Sequence, residues 1–275
     1  MSTVSDMADV TIVVDRISVE VEAPNGDYNG NISYNEDGYN LTDNPYALPE
    51  KFMDEVVCSE LFVEFLKTTS TGQPVEEKKN ASNHVVFKLI FKSPRDGFLG
   101  LRLEMAVDYK YKSKCETIAG RSIKFKSGYL CAKPSATGRT STKSALTCKL
   151  DIAPNWSVGA IIRTLLHYQM SSFDFVNVQD KYFGCRDFTS QAIMVMISHG
   201  FIISDQISLL CGPSLPVGSI YDALGLRITY HGVVHVCPID KGRFISYQRQ
   251  DWAGLPYEGS YRANQLAELI YGRRR

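Results

Sequence analysis

The chain has 275 residues, of which 44% are apolar and 22% charged, and its formal net charge is zero. This composition is enough to bury one substantial core, and zero net charge gives the whole molecule no electrostatic bias toward nucleic acid or an anionic membrane. The start has no signal-peptide pattern and no stretch reaches the roughly 18 apolar residues of a membrane span, so we expect a cytoplasmic protein with a single domain over residues 1–275.

The first part of the chain combines a candidate strand with a long polar segment. Residues 10–22 end in an alternation of Ile17, Val19 and Val21, which is typical of a strand or a hairpin arm. Asn, Asp, Gly and Tyr dominate residues 24–46, and no hydrophobic period survives there. We therefore predict a mobile surface loop or insertion over residues 24–46 that contributes little to the core.

A helix and a β-hairpin are predicted next. A proline near the start, acidic residues in the first turn and an apolar stripe from Phe52 to Leu61 predict one helix over residues 48–69. Residues 84–91 and 99–106 each alternate apolar and polar side chains, and the turn signal SPRDG lies between them. That pattern predicts an antiparallel hairpin.

A basic stretch follows the hairpin. Residues 106–147 are rich in Lys and Arg, with Ser, Thr and Gly between them. We predict strands on either side of a flexible loop at residues 134–144, because Gly, Ser and Thr cluster there. The whole stretch is interpreted as a basic elaboration of the domain.

The second half of the chain is predicted to contain two helices, several short strands and a last helix. Residues 155–170 carry an apolar stripe, and either Asn155 or Ser157 can cap that helix. A second stripe over residues 185–199 ends at a glycine, and residues 262–272 are predicted to form a further helix. This order of elements predicts an α+β fold in which helices pack on an antiparallel sheet.

Cys185 lies at the first position of the second of these helices, in the stretch GCRDF. Unpaired backbone N–H groups and the positive end of the helix dipole favour a thiolate there, and the same N–H groups can hold an oxyanion. The alternative is a buried thiol that packs as a small hydrophobic residue. The seven cysteines include no CxxC and no close pair, so we expect reduced thiols and neither a metal nor another cofactor.

A nucleophilic cysteine needs a base, and His84 is the histidine best placed for that role. It opens the first strand of the hairpin, on the face opposite the apolar one. If the turn centres near residues 94–95, Val86 lies opposite Glu104, and His84 and Glu104 are diagonal neighbours that can complete a triad. The alternative is a solvent-exposed face on which Glu104 merely pairs with Arg102.

Three short motifs carry a resemblance that covers residues 83–203. They are an Asn-His pair at a strand start, LRLEM at a strand end and GCRDF at a helix start. Their order resembles a group of fungal proteins of unknown function and is similar to the circularly permuted papain-like fold of the lecithin retinol acyltransferase type, in which a strand histidine precedes a cysteine at a helix N-terminus. The resemblance implies that Cys185 is the nucleophile, His84 the general base and Glu104 the group that orients the histidine.

The motifs also depart from the pattern they resemble. Val85 stands where an aromatic residue is usual, Phe188 where we expect tryptophan and Glu104 where we expect aspartate. The basic stretch over residues 106–147 also enlarges the domain relative to that pattern. These departures leave the Cys–His pair intact, and they leave the identity of the substrate open.

Two functions from different classes follow from the sequence. The first is a thiol-dependent hydrolase or acyltransferase that acts on an amide or ester bond of a small-molecule or peptide substrate through a Cys–His dyad. The second is a non-catalytic interaction protein of the same fold, whose basic segment 110–149 binds an anionic partner. Aromatic residues alternate with lysines as on single-stranded nucleic-acid surfaces, but an amphipathic strand has the same pattern, so nucleic acid is the less favoured partner.

Overall fold

The structure is a computed structural model, and it describes residues 38–67, 83–118, 121–138, 140–178, 181–228 and 232–250. The predicted strand at residues 10–22, residues 24–37 of the predicted loop and the predicted helix at residues 262–272 lie outside the described residues. None of the helices in the described ranges has the length and hydropathy of a membrane span.

Strands dominate the described chain, and short helices are interspersed among them. The elements in chain order are β1 (Tyr39–Asn40), α1 (Glu50–Glu55), β2 (Cys58–Leu66), β3 (His84–Arg95), β4 (Phe98–Val107), β5 (Lys114–Ile118), β6 (Arg121–Ser135), β7 (Ser144–Ile152), α2 (Val158–His167), β8 (Phe173–Val178), β9 (Lys181–Phe183), α3 (Cys185–Ser198), β10 (Ile202–Cys211), α4 (Ile220–Leu224), β11 (Leu226–Ile228), β12 (Val234–Val236) and β13 (Arg243–Phe244). The helices predicted over residues 155–170 and 185–199 are confirmed as α2 and α3, and β6 and β7 are the strands predicted on either side of residues 134–144. Ser157 caps α2 by accepting a hydrogen bond from the N–H of Ala160 at 3.1 Å.

Eleven of the described strands form one sheet. Its main path runs β10-β7-β2-β3-β4-β6-β8-β13, with β1 and β5 beside β6 and β9 beside β8, while β11 and β12 form a separate ribbon. Each of these pairings is antiparallel. The structure therefore confirms the prediction of a large antiparallel sheet combined with helices.

The two faces of the central strands differ in chemistry. One face packs against the helices, and its core cluster includes Val63, Phe87 and Leu103 of the sheet with Phe188 of α3. The other face carries buried charged residues, among them Glu64, Lys88 and Glu104. The loop between β6 and β7 contacts this second face, where the N–H of Ser141 donates to Glu64 Oε1 at 2.6 Å and Lys88 Nζ donates to Thr137 Oγ1 at 3.2 Å.

The predicted helix over residues 48–69 is wrong for most of its length. The helix α1 ends at Glu55, and β2 then runs through the centre of the sheet between β3 and β7. Residues 61–65 of β2 are all buried, so apolar side chains occupy both faces and the strand shows no simple alternation. A run of that kind produces an apolar stripe at helical spacing as readily as a helix does.

Residues 43–46 are exposed, as predicted for the surface loop over residues 24–46, but residues 38–42 lie along β6 and contact the core. Tyr39 pairs with Ala132 of β6, and the side chain of Leu41 is fully buried. The N–H of Leu41 donates to the carbonyl of Leu130 at 2.8 Å. This part of the chain is therefore fixed along β6, because both its backbone and its apolar side chain have partners in the sheet.

The hairpin of β3 and β4 is confirmed, but its turn lies two residues later than predicted. Asp96 and Gly97 occupy the turn with positive φ angles of 49° and 80°, as a tight hairpin turn requires. Arg95 pairs with Phe98 next to the turn, and the register then shifts between Ile90 and Arg95. This irregularity offsets the displaced turn, so the pairing in the rest of the hairpin is close to the predicted one.

The strand β10 lies at one end of the main path and was not predicted. It pairs with β7, and its register shifts between Ile202 and Ile207 and again just before Cys211. Within the first of these interruptions, Gln206 forms an isolated antiparallel bridge with Ser219, the residue before α4. Alternate side chains of β10 are exposed, which is the pattern of a strand that covers the core with one face.

Candidate active site

The three site residues predicted from the sequence lie together at one end of the sheet. His84 is the first residue of β3, Glu104 lies on the neighbouring β4, and Cys185 is the first residue of α3. His84 Nε2 contacts the carboxylate Oε2 of Glu104, and a side-chain hydrogen bond between His84 and Cys185 is among the interactions that shift the pKa of both. The result is a continuous chain of contacts from thiol to imidazole to carboxylate.

The pairing of β3 with β4 explains how the carboxylate reaches the imidazole. Phe87 pairs with Leu103, so Val86 lies opposite Glu104 and His84 is its diagonal neighbour on the same face. The carboxylate also contacts Arg102 Nη2 through its other oxygen, Oε1. Both arrangements expected from the sequence therefore occur at once, because each carboxylate oxygen serves a different cation.

Electrostatics at this cluster favour the charged forms of all its members. Burial alone would raise the pKa of Glu104, but the hydrogen bond and charge of His84 and the charge of Arg102 outweigh it and hold this pKa at about 2. Burial likewise opposes the imidazolium, yet Cys185 and Glu104 raise the pKa of His84 to about 10. His84 is therefore a cation at neutral pH, next to the anionic carboxylate of Glu104 and to a thiol whose ionisation it favours.

Cys185 differs from the buried cysteines in the direction of its pKa shift. Burial opposes its ionisation, but the hydrogen bond and charge of His84, the charge of Arg186 and the N–H of Val85 together lower the pKa of the Cys185 thiol. Burial without such partners raises the pKa of Cys58 to about 12. The surroundings of the thiol at the start of α3 therefore favour its ionised form.

Gly184 allows the chain to turn directly from β9 into α3. Its φ is 129°, a value that side-chain-bearing residues rarely adopt. A Cβ atom at this position would lie 2.8 Å from Cα of Gly242 and 3.0 Å from Cζ of Phe173. The glycine before the cysteine therefore serves the geometry of the site, because it lets Cys185 occupy the first position of the helix.

The two residues after Cys185 anchor the first turn of α3, and this anchoring role was not predicted from the sequence. The Nη1 of Arg186 donates to the carbonyl of Leu224 at 2.7 Å and also to that of Leu226. Asp187 is fully buried and accepts a hydrogen bond from the N–H of Gly242 at 2.8 Å. Two charged residues next to the candidate nucleophile were the available signal, since a buried helix start rarely carries charges without partners.

Asn83 fixes the start of β3, one residue before the histidine. Its Nδ2 donates to the carbonyl of Ile228 at 2.9 Å, and its Oδ1 accepts from the N–H of Ile228 at 2.7 Å. This pair of bonds copies the pairing of a neighbouring strand and ties β11 to the site. The Asn-His motif therefore combines a positioning residue with the residue that contacts the thiol.

A cleft of about 900 Å³ lies beside the start of α3. Its lining comes from β8, β9, β11 and residues 237–241, and consists of Val176, Val178, Phe183, Arg227, Cys237, Pro238, Ile239, Asp240 and Lys241. Phe183 precedes Cys185 by two residues, so the cleft lies near the start of α3, although Cys185 itself is not part of its lining. A second cavity, of about 630 Å³, lies between β6, β8 and β13, and its lining likewise includes none of the three site residues.

Comparisons with protein-family models, with curated proteins and with solved structures return no match to this chain. Among the described residues, no group of three or more His, Cys, Asp and Glu side chains is arranged to hold a metal ion. The interpretation of the site therefore rests on its own geometry and on the electrostatics of its side chains.

The charged pair of Glu104 and His84 predicts how stability depends on pH. The pKa of Glu104 is about 2 in the folded protein, against 4.5 in the unfolded chain. This pair therefore stabilises the protein above pH 4.5 and loses that effect as the pH falls toward 2. The folded pKa of His84 is about 10 against 6.5, so its contribution is complete below pH 6.5 and is lost as the pH rises toward 10. The pair's contribution is therefore largest between pH 4.5 and pH 6.5.

Urea unfolding of the wild type and of Glu104→Gln, measured between pH 3 and pH 9, checks this expectation. The variant should lose most stability near pH 5 to 6 and progressively less toward either end, because the neutral amide cannot form the ion pair. Two curves that run parallel across the whole range would contradict a stabilising ion pair at this position.

Proposed function

We propose that the chain is a thiol-dependent hydrolase or acyltransferase that acts on an amide or ester bond. The observation that carries the proposal is the chain of contacts from Cys185 through His84 to Glu104, with a cleft near the start of α3. Thiol, imidazole and carboxylate in this order are the parts of an activated nucleophile with its base and its orienting group.

In the first half of the reaction, the Cys185 thiolate attacks the carbonyl carbon of the substrate. The carbonyl oxygen becomes an oxyanion, and the backbone N–H groups at the start of α3 are the donors available to stabilise it. The bond to the leaving amine or alcohol then breaks, and the His84 imidazolium gives its proton to that group. The product of this half is a thioester on Cys185 with a neutral imidazole beside it.

In the second half, a new nucleophile resolves the thioester. Neutral His84 takes a proton from water, or from an amine or hydroxyl of a second substrate, while the oxygen or nitrogen attacks the thioester carbonyl. The carbon–sulfur bond breaks and the thiolate is restored. Hydrolysis and acyl transfer share these steps and differ only in the nucleophile that the cleft admits.

Glu104 supports this cycle without touching the substrate. Its carboxylate engages His84 Nε2, which leaves Nδ1 as the ring nitrogen that serves the thiol. The carboxylate thereby fixes the orientation of the ring and stabilises the imidazolium. Arg102 holds the second carboxylate oxygen and limits its rotation.

We assign the architecture to the permuted papain-like type on the same grounds. A histidine at the start of an antiparallel strand and a cysteine at the start of a later helix form the pair, and the helix packs against the strands that carry the histidine. All seven cysteines are free thiols, which supports a reducing compartment such as the cytoplasm.

An acyl reporter such as 4-nitrophenyl acetate tests the proposal. We expect a burst of nitrophenol close to one per chain, together with an acetyl adduct that mass spectrometry locates on Cys185. Cys185→Ser should abolish both, whereas Cys115→Ser, which changes an exposed cysteine, serves as the matched control. A burst that persists in Cys185→Ser would refute this thiol as the nucleophile.

A specific surface feature favours the second candidate, an interaction protein that binds an anionic partner through residues 110–149. Tyr109 and Tyr111 are 75% and 54% exposed, and every residue of β5 is exposed. Lys126 lies 5.6 Å from the centre of the Tyr109 ring. Binding of a polyanion such as heparin that weakens steeply with added salt distinguishes this function from catalysis.

A further inference from the structure

Two arginines lie near each other at the start of α3, because Arg186 donates to the carbonyl of Leu226, the residue before Arg227. Arg186 directly follows the cysteine, and Arg227 lines the cleft. Burial first, and then the charge of Arg227, lower the pKa of Arg186 to about 10, which records their mutual repulsion. Asp240 forms an ion pair with Arg227 and is also close enough to Arg186 to raise its pKa. The single carboxylate of Asp240 therefore offsets only part of the positive charge of Arg186 and Arg227.

Arg186 is held in place by neutral groups. Its side chain is 3% exposed, its Nη1 donates to backbone carbonyls, and its buried Nη2 has no hydrogen-bond partner among the described residues. A buried cation without a directly paired anion is costly to maintain. The groups whose negative charge raises its pKa are Cys185 first, and then Cys237 and Asp240.

The thiolate loses its charge during the proposed reaction. Once Cys185 carries an acyl group its sulfur is neutral, and the positive field of Arg186 and Arg227 then acts on whatever occupies the cleft. The exposed carboxylate of Asp240 offsets only part of this field, since Lys241 also lines the cleft. An anionic group on the substrate would then supply the negative charge that the acylated sulfur has lost.

We infer that the cleft selects an acyl or amide substrate that carries a carboxylate near the reacting carbonyl, and this inference rests on the proposed function. Arg227 contacts the carboxylate, since its side chain is 21% exposed and lines the cleft. The planar guanidinium matches a carboxylate in shape. Val176, Phe183 and Ile239 provide an apolar wall for the hydrocarbon part of the substrate. The adjacent Asp240 disfavours a group with two negative charges, such as a phosphate.

Two alkylating reagents test this selectivity without knowledge of the natural substrate. Iodoacetate and iodoacetamide deliver the same carbon to the same thiolate, but only iodoacetate carries a carboxylate. Mass spectrometry at low salt gives the rate at which each reagent modifies Cys185. The iodoacetate rate is divided by the iodoacetamide rate, and this ratio is divided by the same ratio measured for N-acetylcysteine. The normalised ratio of the iodoacetate rate to the iodoacetamide rate should be roughly five or more. It should fall as added salt screens the positive field.

Arg227→Gln and Asp240→Asn form a matched pair of variants. Both break the same ion pair, so a merely structural effect changes the normalised ratio in the same direction. The electrostatic inference requires opposite changes: a fall of about threefold in Arg227→Gln and a comparable rise in Asp240→Asn. Arg227→Lys should retain most of the wild-type ratio, because it keeps the charge. Equal or unchanged ratios in the first two variants overturn the inference.

The iodoacetamide rate separates failure of this inference from failure of the proposed function. If Cys185 reacts with iodoacetamide at pH 6 but the normalised ratio is close to one, the thiol is activated and only the preference for an anionic substrate is wrong. If Cys185 reacts with neither reagent, the thiol is not activated, and both the proposed function and the inference are refuted.

Discussion

Iodoacetamide at pH 6 should modify Cys185 roughly tenfold or more faster than the exposed Cys115, although Cys185 is partly buried. The reason is the thiolate fraction, since a thiol with a pKa near 8.5 is less than about 1% ionised at this pH. His84 and Arg186 lower the pKa of Cys185, whereas burial raises the pKa of Cys131 to about 11. A thiolate of lower pKa is intrinsically a weaker nucleophile, which reduces the advantage without removing it.

Replacing His84 with alanine should remove most of this advantage. The variant loses the imidazolium that stabilises the thiolate, while burial continues to oppose ionisation, so the pKa of Cys185 should rise. Peptide mapping after short exposures to the reagent gives the rate at each cysteine, and Cys115 in the same sample is the internal control. Labelling of Cys115 with Cys185 left unmodified would identify Cys185 as a buried structural thiol.

The largest effect on stability is expected for Asp187→Ala. The Asp187 carboxylate is fully buried, accepts a hydrogen bond from Gly242 N–H at 2.8 Å and forms an ion pair with Arg249, whose Nη1 lies 3.0 Å from Oδ2. The substitution removes this carboxylate from the guanidinium of Arg249, whose side chain is only 18% exposed. Breaking a buried pair of this kind costs about 3 to 5 kcal/mol of the free energy of unfolding.

Urea denaturation provides the measurement, and two further variants make it specific. Asp187→Asn should lose less, because the amide oxygen still accepts from Gly242 N–H. Asp54→Ala breaks an exposed pair with Arg163, in which the two side chains are 46% and 52% exposed, and should cost less than about 1 kcal/mol. Similar losses in Asp187→Ala and Asp54→Ala would show that Asp187 does not anchor the C-terminal part of the described chain to α3.

The hairpin half of the site was accessible from the sequence. Period-two alternation decides which side chains share a face of a sheet, so His84 and Glu104 could be assigned to one face before any pairing was known. The position of the turn was wrong, but the register shift between Ile90 and Arg95 returned Val86 to a place opposite Glu104. The correct pairing therefore depended on a bulge that the sequence did not reveal.

The other half of the site depends on contacts between distant parts of the chain. The position of β2 in the sheet was hidden because a strand buried on both faces lacks alternation. The side chains of Arg186 and Asp187 reach β11 and residues near 242, whose short strands could be predicted but not their partners. Long-range hydrogen bonds of this kind leave no local signal, so the surroundings of the nucleophile could not be derived from the residues beside it.

The interrupted register of β10 has a consequence for how the protein behaves at high concentration. The last strand of a sheet offers its outer backbone groups to any extended chain and can template aggregation. Exposed apolar side chains such as Ile203, at 64% exposure, increase that risk. The two register shifts bend β10 away from a straight ladder, and Gln206 is already engaged with Ser219. A foreign strand therefore finds only short matching stretches, and growth of the sheet from one molecule into the next is discouraged.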